Sequence, residues 1–274
     1  MNELSKRIIV AFIGIPIVLT LIYLGGWYFF LLIVIISIVA QWEFYEMQKK
    51  KHLHPQRLNG LITGVIILLG IQTGEYQLIR IGLILLLMFM LAFEMFVHHE
   101  NAGVNIGITL VGILYIPLFL GTLIHTKLYV DQVLSVIQYA GFKYIVMILI
   151  TIWICDTFAY SFGSLFGKHK LYEKVSPNKT IEGGIAGLTG AILTVVLVKI
   201  FNILTLDWGS AIIIGATIGV FGQIGDLVES WFKRDVGVKD SSTLLPGHGG
   251  MLDRFDSLIF LSPAIFIMTR LLLK

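Results

Sequence analysis

Long apolar stretches separated by short polar segments run through almost the whole chain. About nine of them approach the roughly 20 residues that a helix needs to cross the hydrocarbon layer of a membrane. The pattern therefore predicts an all-α fold, a polytopic membrane helix bundle with about nine transmembrane helices. The stretches lie at about 8–24, 27–47, 58–74, 78–97, 104–125, 142–163, 181–203, 209–229 and 255–273.

Composition supports a membrane protein. Of the 274 residues, 57% are hydrophobic and only 14% are charged, which is too little polar surface for an ordinary soluble domain. The first apolar run follows Lys6 and Arg7, as in a signal peptide, but a second full span follows without a convincing cleavage site, so we interpret the first as retained. Cys155 is the single cysteine, which excludes an internal disulfide and a cysteine-rich metal site.

The distribution of basic residues predicts the orientation in the membrane. Positive residues in short loops are retained on the cytoplasmic side. With the N-terminus inside and nine spans, 14 of the 20 Lys and Arg residues fall in segments on that side. We therefore expect a cytoplasmic N-terminus, a C-terminus outside, and two polar late loops that face the cytoplasm.

Residues suited to chemistry are concentrated in the second half of the chain. We treat residues 1–274 as a single integral membrane domain, with scaffold spans at 1–140 and a catalytic half at 141–274. In the first half, the basic run at 49–51 indicates a topology anchor, and docking of anionic lipid headgroups is the alternative. Glu43 and Glu46 stand among aromatic residues, as at the end of a span in the interfacial belt; a supporting role near a site is the alternative.

Two aspartates lie in or at the end of apolar spans, where an ionisable residue is costly and usually faces a polar cavity or pathway. Asp156 has Tyr160 one turn later, and a hydrogen bond to a neighbouring helix is its purely structural alternative. Asp226 ends an apolar run and shares a helical stripe with Ser230 and Lys233. This stripe indicates a wet, polar surface.

A second pair of carboxylates begins the last span. Asp253 and Asp256 stand three residues apart, so both can face a carboxylate such as Asp226 on another helix. Magnesium prefers such oxygen ligands and usually keeps water and substrate phosphates in its remaining positions. We predict metal ligation by Asp226, Asp253 and Asp256, in a site that two metals could share during displacement at phosphorus.

Glycine-rich and basic segments accompany these acids. In "LPGHGG", glycines let the backbone approach a ligand and cradle phosphate oxygens, and the nearby Lys and Arg residues would offset phosphate charge. His248 could donate to phosphate, carry a proton or only support the loop. A further segment, "SPNKTIEGG", places polar residues at the mouth of another span. The residues alone therefore favour metal-dependent phosphoryl or nucleotidyl transfer.

The stretch from Ser230 to Asp256, "SWFKRDVGVKDSSTLLPGHGGMLDRFD", resembles the signature of phosphatidate cytidylyltransferases, also called CDP-diacylglycerol synthases. The segments "CDTFAY", "SPNKTIEGG" and "GQIGDLVES" resemble the same family. The likeness covers about residues 150–260 by motif and the rest only by the multispanning layout. The fixed positions of the signature are filled by Ser230, Lys233, Arg234, Lys239, Asp240, His248, Gly249, Gly250, Asp253, Arg254 and Asp256.

The resemblance implies a membrane enzyme that joins CTP to phosphatidic acid, giving CDP-diacylglycerol and pyrophosphate with magnesium as cofactor. The lipid phosphate is itself the nucleophile, so catalysis would consist mostly of positioning and charge neutralisation. The predicted catalytic residues are Asp226, Lys233, Arg234, Lys239, Asp240, His248, Asp253, Arg254 and Asp256. The predicted substrate-binding residues are Asp156, Ser176, Lys179, Thr180, Glu182, Ser230, Gly249 and Gly250.

Two other functions fit parts of the pattern. A CTP-dependent lipid kinase would use similar metals and phosphates but would release CDP instead of pyrophosphate. An ion-coupled transporter would also place acids in spans, although it leaves the glycine-and-histidine loop unexplained. We expect the lipid bilayer as surroundings, no nucleic-acid partner, a homodimer on family resemblance, and a bacterial inner membrane with the active site facing the cytoplasm.

Overall fold

The computed structural model describes residues 3–97, 100–242, 244 and 249–273, with the side chains of 3–11 and 78 left out. A 3₁₀ turn at Lys49–Lys51 and a π turn at Leu114–Leu118 interrupt the helices, and two strands, β1 (Lys170–Tyr172) and β2 (Ser176–Thr180), follow the helix Ala140–Phe166. The helices are α1 (Glu3–Leu24), α2 (Gly26–Gln48), α3 (Arg57–Thr73), α4 (Tyr76–Val97), α5 (Ala102–Ile113), α6 (Phe119–Val133), α7 (Ala140–Phe166), α8 (Ile181–Ile200), α9 (Trp208–Asp235) and α10 (Leu252–Leu272).

The helices confirm a polytopic helical membrane protein. Within the described ranges, seven helices are long and apolar enough to cross a membrane, and shorter apolar helices occupy Phe12–Leu24 and Arg57–Thr73. Each of the nine predicted stretches is helical. The predicted total of nine crossings stays a prediction.

A small antiparallel hairpin is the part of the fold that the all-α prediction omitted. Lys170 pairs with Thr180 and Tyr172 pairs with Ser176 across β1 and β2. The strands are short, polar and mostly exposed, so they carry little of the alternating apolar pattern from which strands are predicted. The hairpin delivers the chain directly into α8.

The chain divides into two compact units. The first comprises residues 1–124 and 232–255, and the second comprises residues 125–231 and 256–274. The three boundaries between the units therefore fall inside α6, α9 and α10. The prediction of a single domain with a catalytic half from residue 141 stays a prediction.

In the first unit, Tyr45 of α2 is the centre of the packing against α3 and α5. Its hydroxyl donates to the Thr109 carbonyl at 2.8 Å and accepts from Gln41 Nε2 at 2.9 Å. A Cβ at Gly60 or Gly112 would overlap the Tyr45 ring. Two glycines thus make room for one fully buried tyrosine, whose polar end is satisfied inside the bundle.

The first unit also buries a polar network between α3, α4 and α5. Glu94 is 3% exposed and accepts from Gln56 Nε2 and from Asn105 Nδ2, each at 2.8 Å. The Gln56 backbone N–H in turn donates to Thr109 Oγ1 at 2.9 Å. Such hydrogen bonds satisfy polar groups that lipid could not.

In the second unit, α7 and α8 pack with their backbones close together. A Cβ at Gly183 would lie 2.6 Å from the Ala159 carbonyl, and one at Gly187 would lie 3.0 Å from the Cys155 carbonyl. Small residues at this spacing are typical of close helix contacts in membranes, where dispersion replaces the hydrophobic effect. Cys155 is buried in this contact, as a small packed residue.

Helix α9 begins at a capping aspartate and continues to the acids of the candidate site. Asp207 accepts the Ser210 hydroxyl and, at 2.9 Å, the Ser210 backbone N–H. These hydrogen bonds hold the pKa of Asp207 below its ordinary value, because they stabilise the charged form. Further along, a Cβ at Gly225 would lie 2.8 Å from Phe260 Cβ and 2.9 Å from the Asp256 carbonyl. Gly225 thus permits the close approach of α9 and the second unit's part of α10.

Candidate active site

Three aspartates and one lysine form an acidic cluster in the second unit. Lys179 Nζ lies 2.6 Å from Asp226 Oδ2, and both side chains are about one-third exposed. The Asp256 carboxyl experiences the like charges of Asp226 and Asp156 and the opposite charge of Lys179. We call Asp156, Lys179, Asp226 and Asp256 the acidic cluster. Its charges suit a site that binds cations and phosphates together.

Local structure fixes where these side chains lie. Asp226 follows Gly225 directly, so the close contact of α9 with α10 brings Asp226 towards Asp256. Lys179 is the penultimate residue of β2, and the next residue, Thr180, caps α8 by accepting the Gly183 N–H at 3.2 Å. The hairpin and the cap together present Lys179 to Asp226. Ser230, one turn after Asp226, donates to Asp226 Oδ1 at 3.3 Å.

Glu182, in the first turn of α8, contacts the segment that leads into the hairpin. It accepts the backbone N–H groups of Lys168 and His169 and lies 2.7 Å from His169 Nδ1. Carboxylates in the first turn of a helix also complement its dipole. Glu182 therefore anchors the entry to the hairpin, while Ser176 is partly exposed in β2. Their predicted roles in substrate binding stay predictions.

In the first unit, Asp253 accepts a set of donors from the preceding loop. Lys233 Nζ lies 2.8 Å from Asp253 Oδ1, and both side chains are nearly buried, at 12% and 8% exposure. Asp253 Oδ2 accepts the Ser241 hydroxyl at 2.9 Å and the Gly250 N–H at 2.7 Å. Asp253 thus closes the loop between α9 and α10, and Lys233 neutralises it.

Gly249 and Gly250 leave room for the protein's own carboxylates. Gly249 has φ +79° and a Cβ there would lie 2.8 Å from Asp253 Oδ2. A Cβ at Gly250 would overlap Ser241 Oγ and lie 2.6 Å from Glu43 Oε2. Both glycines therefore lie close against Asp253 and Glu43, and their predicted contact with substrate stays a prediction.

The remaining predicted residues are spread over the same segment. Arg234 donates to the Val238 carbonyl at 3.1 Å, and it is exposed. Lys239, Asp240 and Arg254 are also exposed, and their predicted catalytic roles stay predictions. His248 lies outside the described residues.

Comparisons with known proteins show which family the chain belongs to. A family model described as "Cytidylyltransferase family" matches residues 5–272. The chain is 34% identical to the phosphatidate cytidylyltransferase of Staphylococcus epidermidis over 267 residues, 97% of this chain and 98% of the relative. The proteins of that name from Staphylococcus haemolyticus and Staphylococcus aureus are each 33% identical over the same shares.

This chain belongs to the cytidylyltransferase family. The resemblance drawn from the signature is thereby confirmed, and it extends to the N-terminal spans, whose motifs are generic.

Magnesium fits the donor chemistry of the acidic cluster. This ion commonly takes one or two carboxylates and completes its shell with water and phosphate oxygens. Asp226 and Asp256 offer such a pair. In the described part of the chain, no group of three or more His, Cys, Asp or Glu side chains is arranged to hold a metal. The predicted set of Asp226, Asp253 and Asp256 stays a prediction, and Asp253 is already engaged by Lys233 and Ser241.

Sequence reasoning gave little weight to two groups of residues in this family member. Glu43 was one of two acids at the end of a span, yet it contacts the loop before α10. Ser241 and Ser242, inside the signature, are its hydroxyl donors. The available signal was a carboxylate at the end of an apolar helix, which cannot show its partner about 200 residues later.

Proposed function

We propose that this protein transfers the cytidylyl group of CTP to phosphatidic acid, giving CDP-diacylglycerol and pyrophosphate. The observation that carries the proposal is the Lys179–Asp226 pair beside Asp256 and Asp156. It supplies a cation for phosphate and carboxylates for a divalent metal, within helices that suit a lipid substrate. The names of the Staphylococcus relatives support the same reaction.

In the proposed reaction, an oxygen of the phosphatidate phosphate forms a bond to the α-phosphorus of CTP. The bond from that phosphorus to the oxygen bridging the β-phosphate breaks, and pyrophosphate leaves with the electron pair. Lys179 would bind phosphate oxygens, while Asp226 orients its ammonium group. No Ser or Cys nucleophile is needed, because the lipid supplies the attacking oxygen.

Magnesium is part of the proposal, held by Asp226 and Asp256 and with Asp253 as the further predicted ligand. When bound, it supplies neutralisation of charge on the phosphates. The three acids of the cluster face one lysine among the interactions described here, so added positive charge is electrostatically favoured.

We further propose nine crossings with the N-terminus in the cytoplasm, the C-terminus outside and the hairpin on the cytoplasmic side of a bacterial inner membrane. The basic residues support this orientation. Substitution of the exposed Lys174 by cysteine would place a thiol on the hairpin. Labelling of that thiol in inside-out vesicles but not in intact spheroplasts is expected, and the reverse pattern would invert the topology.

The reaction itself is tested with purified protein in detergent, given phosphatidic acid, CTP and magnesium, while pyrophosphate and CDP are followed separately. We expect pyrophosphate in equal amount to a nucleotide-linked lipid, and loss of both after chelation of magnesium or in Asp226→Asn. Asp207→Asn, an exposed acid at the start of the same helix, is the matched control. CDP without pyrophosphate would replace the proposal by a kinase, and ion flux without turnover would replace it by a transporter.

A further inference from the structure

Glu43, near the end of α2, is a buried carboxylate with four donors. Its side chain is only 6% exposed in the first unit. Oε1 accepts the Ser242 hydroxyl at 2.5 Å and the Met251 N–H at 3.0 Å. Oε2 accepts the Leu252 N–H at 2.7 Å and the Ser241 hydroxyl at 3.2 Å. Four donors offset the cost of burying this charge.

The donors come from both ends of one loop. Ser241 and Ser242 begin the loop, whereas Met251 ends it and Leu252 is the first residue of α10. The first N–H groups of a helix have no partner inside that helix and favour a negative charge. Glu43 therefore caps α10 from another helix, 209 residues earlier in the chain.

The loop is shaped around this carboxylate. Gly250 has no room for a Cβ, since one would meet Ser241 Oγ and Glu43 Oε2. Ser241 also donates to Asp253 Oδ2 at 2.9 Å, so the same serine lies between the two carboxylates. A hydroxyl has one proton, and it can serve only one of these acceptors at a time. Glu43 and Asp253 therefore share the Ser241 hydroxyl as a donor.

We infer that Glu43 is a positioning residue that fixes both ends of the loop between α9 and α10, and thereby the backbone that carries Lys239, Gly249, Gly250 and Asp253. Glu43 acts on the reaction only through this loop and does not touch substrate. Its effect on turnover rests on the proposed function, whereas its effect on loop order does not.

The test compares Glu43→Gln with Glu46→Gln in the full chain in detergent. A glutamine keeps the size of the side chain but replaces one carboxylate oxygen by an NH₂ group, which cannot accept. The hydrogen bonds to that oxygen are therefore lost. Glu46 lies one turn later on α2 and contacts Trp42, Lys49 and Arg57. It is thus a matched acid without a contact to the loop among the interactions described.

Hydrogen–deuterium exchange followed by mass spectrometry reads the loop directly. Peptides that contain the Met251 and Leu252 amides are expected to exchange about tenfold faster in Glu43→Gln, with α4 peptides unchanged. Glu46→Gln and the parent should exchange equally. Glu43→Asp, which keeps the charge, should exchange at a rate between those of Glu43→Gln and the parent. Equal exchange in Glu43→Gln and the parent would overturn the inference.

Steady-state kinetics tests the consequence for turnover. We expect kcat to fall about 100-fold in Glu43→Gln, with a smaller change in KM and a thermal midpoint close to that of Glu46→Gln. If only the midpoint falls, or if kcat is unchanged despite faster exchange, Glu43 is a structural anchor and the inference is wrong. If the parent itself lacks transferase activity while exchange still responds to Glu43→Gln, the proposed function fails and the loop assignment stands.

A milder variant covers the case in which Glu43→Gln does not fold. Ser242→Ala removes one hydroxyl donor and leaves the carboxylate in place. Faster exchange of the Met251 and Leu252 amides, by a smaller factor, supports the role of Glu43. Unchanged exchange in this variant would count against it.

Discussion

Lys179 of the hairpin and Asp226 of α9 form an ion pair, with Nζ 2.6 Å from Oδ2. The pair lies beside Asp256 and Asp156, so one ammonium group interacts with three carboxylates in the second unit. Exposed ion pairs contribute little to stability. This partly exposed pair is therefore expected to add little to stability, and in the proposed reaction its lysine binds phosphate.

Replacing Lys179 by methionine should lower kcat/KM for CTP by about 10²–10³-fold, because one charged group that stabilises phosphate is removed. Steady-state assays of pyrophosphate release measure the change. Lys174→Met, an exposed lysine on the same hairpin, should retain the parent value. Similar losses in both variants would indicate damage to the hairpin and not a specific role of Lys179.

Tyr45→Phe should destabilise the first unit by about 0.5–2 kcal/mol, the range of hydrogen bonds between helices in membranes. The change removes the donor to the Thr109 carbonyl and the acceptor for Gln41, while the ring still fills the space beside Gly60 and Gly112. Reversible unfolding in mixed micelles gives the free energy. Tyr160→Phe, at a side chain that is 79% exposed, should change it little.

Much of the helical layout could be predicted because bilayer thickness imposes a length on apolar runs. The helices α7 and α10 begin and end within about three residues of the predicted stretches. The length of an apolar run does not show where a helix continues into polar residues. The helix that contains residues 104–125 continues through a π turn at Pro117 to Val133, past the end of its apolar run.

The candidate site could be predicted by residue type but not by partner. Asp226 and Lys179 were both expected to meet phosphate or metal, yet their contact depends on a hairpin with too little apolar alternation to be predicted. Asp253 was expected to hold metal, and its contacts with Ser241 and Gly250 depend on the backbone path of a glycine-rich loop. The hydrogen bonds of Glu43 depend on packing between segments about 200 residues apart, which a single sequence does not indicate locally.

Asp253→Asn and Lys233→Met should each destabilise the protein by roughly 3 kcal/mol, because each removes one side of an ion pair between two nearly buried side chains. The double variant should lose less than the sum of the two, since no uncompensated charge remains. Thermal unfolding of the parent, the two single variants and the double variant in one detergent completes this double-mutant cycle. Additive losses would show that the two side chains do not act as a pair.

This cycle also decides how Asp253→Asn is interpreted in activity assays. If stability falls as expected, loss of turnover in that variant does not by itself assign Asp253 to magnesium. Dependence of the rate on magnesium concentration then distinguishes the roles. A weaker apparent affinity for magnesium in Asp256→Asn, but not in Asp253→Asn, is the result expected if Asp253 serves mainly the loop.

Gly225→Ala tests whether the close contact between α9 and α10 at Gly225 determines the separation of Asp226 and Asp256. The added Cβ would lie 2.8 Å from Phe260 Cβ and 2.9 Å from Ser257 Cα, so the helices must separate locally. Overpacking of this kind costs about 1–3 kcal/mol. Because Asp226 is the next residue and Asp256 lies across the contact, we expect turnover to fall at least about tenfold.

Gly222→Ala supplies the matched control on the same helix. A Cβ there meets no atom within 4 Å, and alanine is the better helix former, so stability and turnover should remain at or slightly above the parent values. Pyrophosphate release and thermal unfolding are measured for both variants side by side. If Gly225→Ala lowered stability but left turnover at the level of Gly222→Ala, the spacing of the two helices at this point would not govern the reaction, and Asp226 and Asp256 would not need to act at a fixed separation.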